Sequence, residues 1–444
     1  MKAQIEKFIR EKKIQELKEY LQECNEKDIS YVLEELESEH MLLVFRLLTK
    51  DRAAEVFSEM GHKVQETLIK ALNDKELKDV LDELYTDDTV DMIGEMPANV
   101  VKRILQTIPK EEREIINQFL SYPKDCAGSI MTNEFIDLKE NITVKQALEK
   151  IKQEGMNKET IYTCYVLDKT RKLIGLVSIR DLLLADEKVL IKDLMTKKII
   201  KSHTLDDREV VARKLQKYNF LALPIVDSEE KLVGIVTFDD ALEVLKEENT
   251  EDFSKMGAVT PSDNSYFKTS VLKHAKNRIV WLLFLMVSAM ITGSVITSYE
   301  EAFAALPILV SFIPLIMGTG GNSGSQASTL IIRGLAVEEI KPRDILKAMF
   351  KELRIAILVS VCLATIMGTG IFLIYKDIKL SIVVAVSLIF TIILAKQLGC
   401  ILPILAKKLK LDPAIMAAPL ISTIVDTCSV FIYFTMATWL FNIW

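Results

Sequence analysis

The chain has 444 residues, 50% hydrophobic and 27% charged, with 62 acidic against 56 basic side chains and a net charge of −6. This is more than one ordinary domain needs, and no nucleic-acid partner is expected. The charge is unevenly spread: residues 271–444 hold 9 acidic and 15 basic side chains, net +6, leaving 53 and 41, net −12, for residues 1–270. The first part therefore reads as a soluble acidic body and the second as a membrane domain.

The chain starts with a charged amphipathic stretch, MKAQIEKFIREKKIQELKEY, without the apolar core of a cleavable signal, so insertion is expected to begin at an internal span. In residues 52–116 apolar pairs recur every twelve positions: Val56/Phe57, Leu68/Ile69, Val80/Leu81, Met92/Ile93 and Ile104/Leu105. Twelve residues turn a continuous helix about 120° beyond whole turns, which would scatter the pairs around one rod. Short helices broken near Gly61, Asn73, Pro97 and Pro109 would bury each pair against its neighbours, in a superhelical array or a plainer helical bundle. This domain is assigned to residues 1–125.

Residues 126–248 contain a second repeat. Asp168, Leu173, Gly175, Ser178 and Asp181 recur 59 positions later as Asp227, Leu232, Gly234, Thr237 and Asp240. Each copy reads strand, turn, strand, helix, with Ser or Thr three residues before Asp at the helix start. The pattern resembles a tandem CBS domain, an α/β regulatory module that often binds adenine nucleotides. That resemblance implies Ser178, Asp181, Thr237 and Asp240 as contacts for ribose and phosphate of ATP or a related nucleotide. The same residues would also cap their helices with no ligand present.

Behind an acidic cluster that straddles the boundary (Glu247, Glu248, Glu251, Asp252), residues 249–276 pass to a basic amphipathic stretch, expected to be a connector helix at the inner membrane surface. Residues 277–444 then contain five apolar runs, 279–298, 303–332, 355–375, 380–406 and 414–440, each long enough to span a bilayer. Basic residues cluster before the first run, after the second and after the fourth. A multi-pass cell-membrane protein is expected, with its N-terminal domains cytoplasmic and its C-terminus outside.

Two features of this half suggest ion movement. Asp426 is the one charged residue of 413–444 and lies near the middle of the last run. A carboxylate there costs roughly 2.5–3.5 kcal/mol on insertion scales, which points to a cation or a water-filled path facing it. The second run ends in PLIMGTGGNSGSQASTLIIRG, whose glycines, among them Gly320 and Gly321, weaken a helix and could offer carbonyls beside Asn322, Ser325 and Gln326. Gly320 and Gly324 alternatively make a GxxxG packing pair. Lys396, inside the fourth run, is expected to snorkel toward the inner interface or, alternatively, to neutralise an acid at a pore mouth. The six cysteines form no CxxC pair and the four histidines are scattered, so any metal should be bound by oxygen.

The acidic helical domain, the CBS pair, TEDFSKMG, GTGGNSGSQAS and LDPAIMAAPLISTIVD together resemble, in order and over nearly the whole chain, the MgtE family of magnesium channels. The resemblance implies a mainly α multidomain membrane protein: a homodimer in the lipid bilayer with a pore on its two-fold axis, lined by the second and fifth spans. Asp426 would be the pore aspartate, and Asn322, Ser325, Gln326, Ser422, Gly320 and Gly321 the surrounding pore or ion-binding positions. It further implies closure when cytosolic Mg2+ bridges acids of the helical domain, CBS pair and connector. The regulatory candidates are Asp87, Asp88, Asp91, Asp239, Asp240, Glu247, Glu248, Glu251, Asp252 and Asp412. Ser429 departs from the family, many members of which carry glycine there. Enzymatic chemistry is not expected, because the apolar runs offer only Asp426 and Lys396 as charged groups. The rival reading is a non-transporting membrane receptor that senses metal or nucleotide through its CBS pair.

Overall fold

Helix starts recur every twelve residues from the N-terminus: α1 (Lys2–Arg10), α2 (Ile14–Glu23), α3 (Glu26–Glu35), α4 (Ser38–Arg46), α5 (Lys50–Ser58), α6 (His62–Ala71), α7 (Asp74–Leu81), α8 (Thr86–Glu95), α9 (Ala98–Thr107) and α10 (Lys110–Leu120). The computed structural model describes residues 1–262, 266–267, 269–416 and 418–442. The twelve-residue repeat thus runs over more of the chain than the five apolar pairs indicate. Odd helices α3, α5, α7 and α9 stack in one row, and even helices α4, α6, α8 and α10 in another. Val56, Phe57, Leu68, Ile69, Val80, Leu81, Met92, Ile93 and Ile104 all enter the resulting core. Helices of eight to eleven residues are marginal alone, so the stacking stabilises each of them.

Two arginines reinforce the array. Arg52 of α5 donates to the carbonyls of Leu21 and Cys24 at the end of α2. Arg103 of α9 does the same for Ile69 and Leu72 at the end of α6. In each case a guanidinium three helices downstream adds charged donors to carbonyls at a helix end, where intrahelical bonding runs out.

The next segment forms two matching half-modules. In the first, β1 (Ile136–Lys139) pairs parallel to β2 (Thr163–Leu167), which pairs antiparallel to β3 (Leu173–Ser178). The crossover between β1 and β2 carries α11 (Val144–Glu154), and α12 (Ile179–Leu184) and α13 (Ile191–Leu194) follow β3. The second half repeats this arrangement with β4 (Ser202–His203), α14 (Arg208–Tyr218), β5 (Ala222–Val226), β6 (Leu232–Thr237) and α15 (Phe238–Met256). The hairpin turns place Arg171 and Glu230 at φ 66° and 69°. Each turn then pairs with the other, through Leu173 N–H to Glu230 O and Leu232 N–H to Arg171 O.

The chain divides into two units, Met1–Lys246 and Glu247–Trp444. The connector expected as one helix over 249–276 is divided: residues 249–256 are the final turns of α15, and residues 271–276 open the next long helix. Helix α15 stops at Met256, where Gly257, a left-handed Ala258 (φ 53°) and Pro261 prevent its continuation. Residues 263–265 and 268 of that stretch lie outside the described residues.

The second unit is built from α16 (Val271–Thr297), a short α17 (Glu300–Ala305), α18 (Ile313–Ala336), α19 (Ile345–Tyr375), α20 (Ile378–Lys408) and α21 (Ala418–Phe441). Among the described residues, four helices are long and apolar enough to cross a membrane by composition: α16, α19, α20 and α21. The second run, read as one helix over 303–332, is divided in the structure. It breaks at Leu306 (ψ 82°), ahead of Pro307, and α18 starts at Ile313 with Pro314 in its first turn. Its glycines and serines dilute the hydropathy, yet α18 packs between α20 and α21. Hydroxyl pairs Thr292–Thr427 (2.6 Å) and Tyr299–Thr435 (3.0 Å) tie α16 and Tyr299 to α21.

Candidate ion pathway and regulatory sites

Close approach of α18 to its neighbours depends on glycine. A Cβ on Gly320 would lie 2.6 Å from Thr391 and 2.9 Å from Val425, and one on Gly324 would lie 2.8 Å from Ile421. Gly399 of α20 sits against the Gly324 carbonyl, where a Cβ would come within 2.3 Å. Here the packing role of the glycines prevails over the expectation of a loosened carbonyl-presenting segment, because α18 remains a continuous helix. Its carbonyls stay within the helix; that of Gly321 also accepts from Ser325 Oγ at 2.8 Å.

This tight seam brings Asp426 beside polar groups of the other helix. A Cβ on Gly321 would stand 3.6 Å from Asp426 Oδ1 and 3.2 Å from Ser422 Oγ. Ser422 Oγ in turn lies 3.4 Å from Ser325 Oγ. Asp426 is half-buried, whereas Asn322 and Gln326 are exposed. They belong to a stripe on α18 running through Pro314, Gly318, Asn322, Gln326, Thr329 and Arg333, at spacings of three and four residues, that no other described helix covers. Ser429 is fully buried and donates to the Asp426 backbone carbonyl at 2.9 Å. Its side chain packs near Gly320, so it fills the seam without touching the carboxylate.

Lys396 does not snorkel. It is 5% exposed and lies 4.0 Å from Glu352 of α19, itself 7% exposed. Glu352 escapes sequence reading because it sits in a charged cluster just ahead of the third apolar run; α19 extends inward far enough to bury it. Ser387 and Thr391, one turn apart on α20, are also fully buried, and neither hydroxyl has a hydrogen-bond partner.

In the first unit, Asp87 and Asp88 occupy the first turn of α8, and Asp239 and Asp240 the first turn of α15. Two helix N-termini thus carry these acids, a placement that favours negative charge at each. Burial pushes the Asp88 carboxyl up to about 7, with Asp240 and Asp91 adding to the effect. Burial likewise raises Asp87 well above the carboxylate range, helped by Asp240 and Asp88. Glu159, which sequence inspection did not single out, is raised to about 8 by burial and by Asp240, Asp239 and Asp88. Asp240 reaches about 6 through burial, opposed by the Thr237 hydroxyl and reinforced by Asp239. Asp91 lies on the exposed side, 4.0 Å from His62. Among the described residues, no three His, Cys, Asp or Glu side chains stand as a ready metal-binding group. The acids form one electrostatic field instead of a preformed cage.

The CBS candidates are engaged locally. Ser178 Oγ accepts from the Asp181 N–H at 3.1 Å and donates to its carboxylate at 2.6 Å. Thr237 makes the matching bond to Asp240. Both are helix-start pairs, the first exposed and the second largely buried. In the second unit, Glu251 near the end of α15 and Asp412 ahead of α21 share one cation, Lys255.

A half-buried carboxylate in a glycine-packed seam of apolar helices, on a chain that also carries a tandem regulatory module, defines a regulated membrane transporter of cations. Residues 313–436 match the family described as MgtE, divalent cation transporter, residues 24–125 the MgtE intracellular N domain, and 127–188 and 191–247 the CBS domain. The chain is 34% identical to the magnesium transporter MgtE of Thermus thermophilus, over 95% of its own length and 94% of the relative's. It is 31% identical to that of Bacillus subtilis, over 97% and 95%. The chain belongs to the MgtE family. A crystal structure of the cytosolic domain of the Mg2+ channel MgtE in complex with ATP aligns at 34% identity with a TM-score of 0.53, covering 55% of this chain and all of that one.

Proposed function

We propose that this protein admits Mg2+ passively through the cell membrane, with Asp426 as the carboxylate that the ion meets in the bilayer. The observation that carries this reading is the placement of Asp426 partway along α21, half-buried, beside Ser422 and Ser325. Mg2+ sheds water reluctantly and is commonly held by one or two carboxylates through retained waters. A sparse polar lining suits such an ion better than a cage of dedicated ligands. No hydrolysis is required, because a divalent cation entering through 100 mV gains roughly 4.6 kcal/mol. The work is permeation, not catalysis.

The uncovered stripe of α18 would leave Asn322 and Gln326 against hydrocarbon in a lone subunit, which supports a homodimer that buries this face around a shared pathway. The basic loops support cytoplasmic N-terminal domains and an external C-terminus. Cytosolic Mg2+ acts as the brake: it draws together the Asp87, Asp88, Asp91, Asp239 and Asp240 group, and separately the Glu247, Glu248, Glu251, Asp252 and Asp412 group, adding positive charge where acids crowd. The ATP-bound relative supports adenine nucleotide at the CBS pair, with Ser178, Asp181, Thr237 and Asp240 as candidate contacts. In reconstituted liposomes, Asp426→Asn is expected to lower Mg2+ flux by tenfold or more; undiminished flux would overturn the assignment.

A further inference from the structure

Asp412 is held at both oxygens. Its Oδ1 accepts the Ala414 N–H at 2.8 Å, while its Oδ2 accepts from Lys255 Nζ at 2.7 Å. The same ammonium pairs with Glu251, one turn back on α15. Lys255 and Asp412 are only 26% and 28% exposed, so the contact is partly shielded from water. It spans 157 positions of sequence and joins the end of the connector to the short segment immediately before α21, the helix that carries Asp426. The two carboxylates are also among the acids assigned to the regulatory metal. One anionic pair thus faces two claimants, a tethered ammonium and a free divalent ion.

We infer that Lys255 is a positioning residue that competes with cytosolic Mg2+ for Glu251 and Asp412, and so sets the metal concentration at which the transporter closes. This rests on the reading of the protein as a Mg2+-inhibited channel. Without metal, the ammonium neutralises both acids and fixes the end of α15 to the approach of α21. A divalent ion carries twice the charge of the ammonium and can bridge the same oxygens directly or through its water shell, but only after Lys255 has left. The lysine itself does not titrate in the cellular range: burial works against its charge, yet Asp412 and Glu251 outweigh burial and raise its pKa. Metal supply, not pH, therefore decides which cation holds the pair.

Lys255→Met removes the competitor while keeping the stem. In liposomes containing the full-length protein, the Mg2+ concentration on the cytoplasmic-domain side that halves flux should fall roughly fivefold, the scale of a partly exposed ion pair. Lys255→Arg should stay near wild type. A lysine that merely braces the closed form would move the midpoint the other way, and an unchanged or raised midpoint overturns the inference. If wild-type flux ignores Mg2+ on that side altogether, the Mg2+-inhibition reading itself fails instead. A second measurement needs no variant. Amine acetylation of Lys255 in the wild-type protein, read by mass spectrometry, should increase as Mg2+ is raised to millimolar levels, since the metal frees the ammonium. Equal or lower labelling counts against the competition.

Discussion

Replacing Gly399 by alanine tests whether the seam between α18 and α20 sets the geometry around Asp426. The new Cβ would lie 2.3 Å from the Gly324 carbonyl oxygen and 3.1 Å from both Ala327 Cβ and Ser328 N, whereas ordinary contact begins at 3.4 Å. The first obstacle is backbone, so no rotamer change relieves it; the two helices must part by about 1 Å, and well-packed neighbours lose dispersion contacts when they do. Overpacking costs typically 1–3 kcal/mol, and a backbone obstacle places this case near the upper end, about 3 kcal/mol. For a unit of this size that corresponds to a melting temperature lower by roughly 6–12 °C. Gly370 of α19 supplies the contrast, since its Cβ would meet nothing within 4 Å. Gly370→Ala should hold or raise stability, by up to about 1 kcal/mol, through helix propensity alone. Thermal unfolding in detergent reads both variants, and Mg2+ flux in liposomes reads the displacement of Gly321 and Ser325 from Asp426. A Gly399→Ala protein as stable and as permeable as wild type would refute the argument.

Lys396→Met leaves Glu352 buried without its cation and should cost about 3–5 kcal/mol, whereas the double variant Lys396→Met/Glu352→Gln should recover most of that loss; a thermal double-mutant cycle checks it. Arg103→Ala removes charged donors from two helix-terminal carbonyls and should destabilise the first unit by about 1.5–3 kcal/mol in denaturant unfolding, while leaving the unfolding of the second unit in place. In the absence of divalent metal, stability of the first unit should depend on pH with a definite sign. Asp240, Asp88 and Glu159 titrate at about 6, 7 and 8 when folded, against about 4 in the unfolded chain. The native state therefore holds protons that the unfolded state has released; the stability they contribute is full below pH ~4 and is lost as pH climbs through ~6 to ~8. Melting temperatures measured in chelator at pH 5, 6.5 and 8.5 should fall in that order, and millimolar Mg2+ should flatten the trend. A rising or level series contradicts the sign.

Much of the architecture was legible because it rests on periodicity. The twelve-residue spacing of apolar pairs can be buried only by short helices in a stack, and the 59-residue echo of the CBS motif places two matching hairpins. The apolar runs and the position of Asp426 similarly follow from the cost of polar groups in lipid. The glycine run of α18 was ambiguous in one dimension, since a loosened helix and a packing face require the same residues. Neighbouring side chains resolved it: Thr391, Val425 and Ile421 leave no room for a Cβ. The break in the connector is a local matter: its charge pattern suits an amphipathic helix, while Gly257 and Pro261 end α15 at Met256.

Sequence alone determined which parts of this protein meet water and which meet lipid, where its repeats lie, and that one carboxylate sits within the last apolar run. Hydrophobic burial and backbone hydrogen bonding act on every residue in turn, so they leave a pattern along the chain. Only the tertiary structure decided who faces whom: Lys396 with Glu352, Lys255 with Asp412, Glu159 with the acids of α8 and α15, and Gly399 with the Gly324 carbonyl. Those partners are separated by tens to more than a hundred residues. Electrostatic attraction and close packing depend on distance in space, which the order of residues does not record.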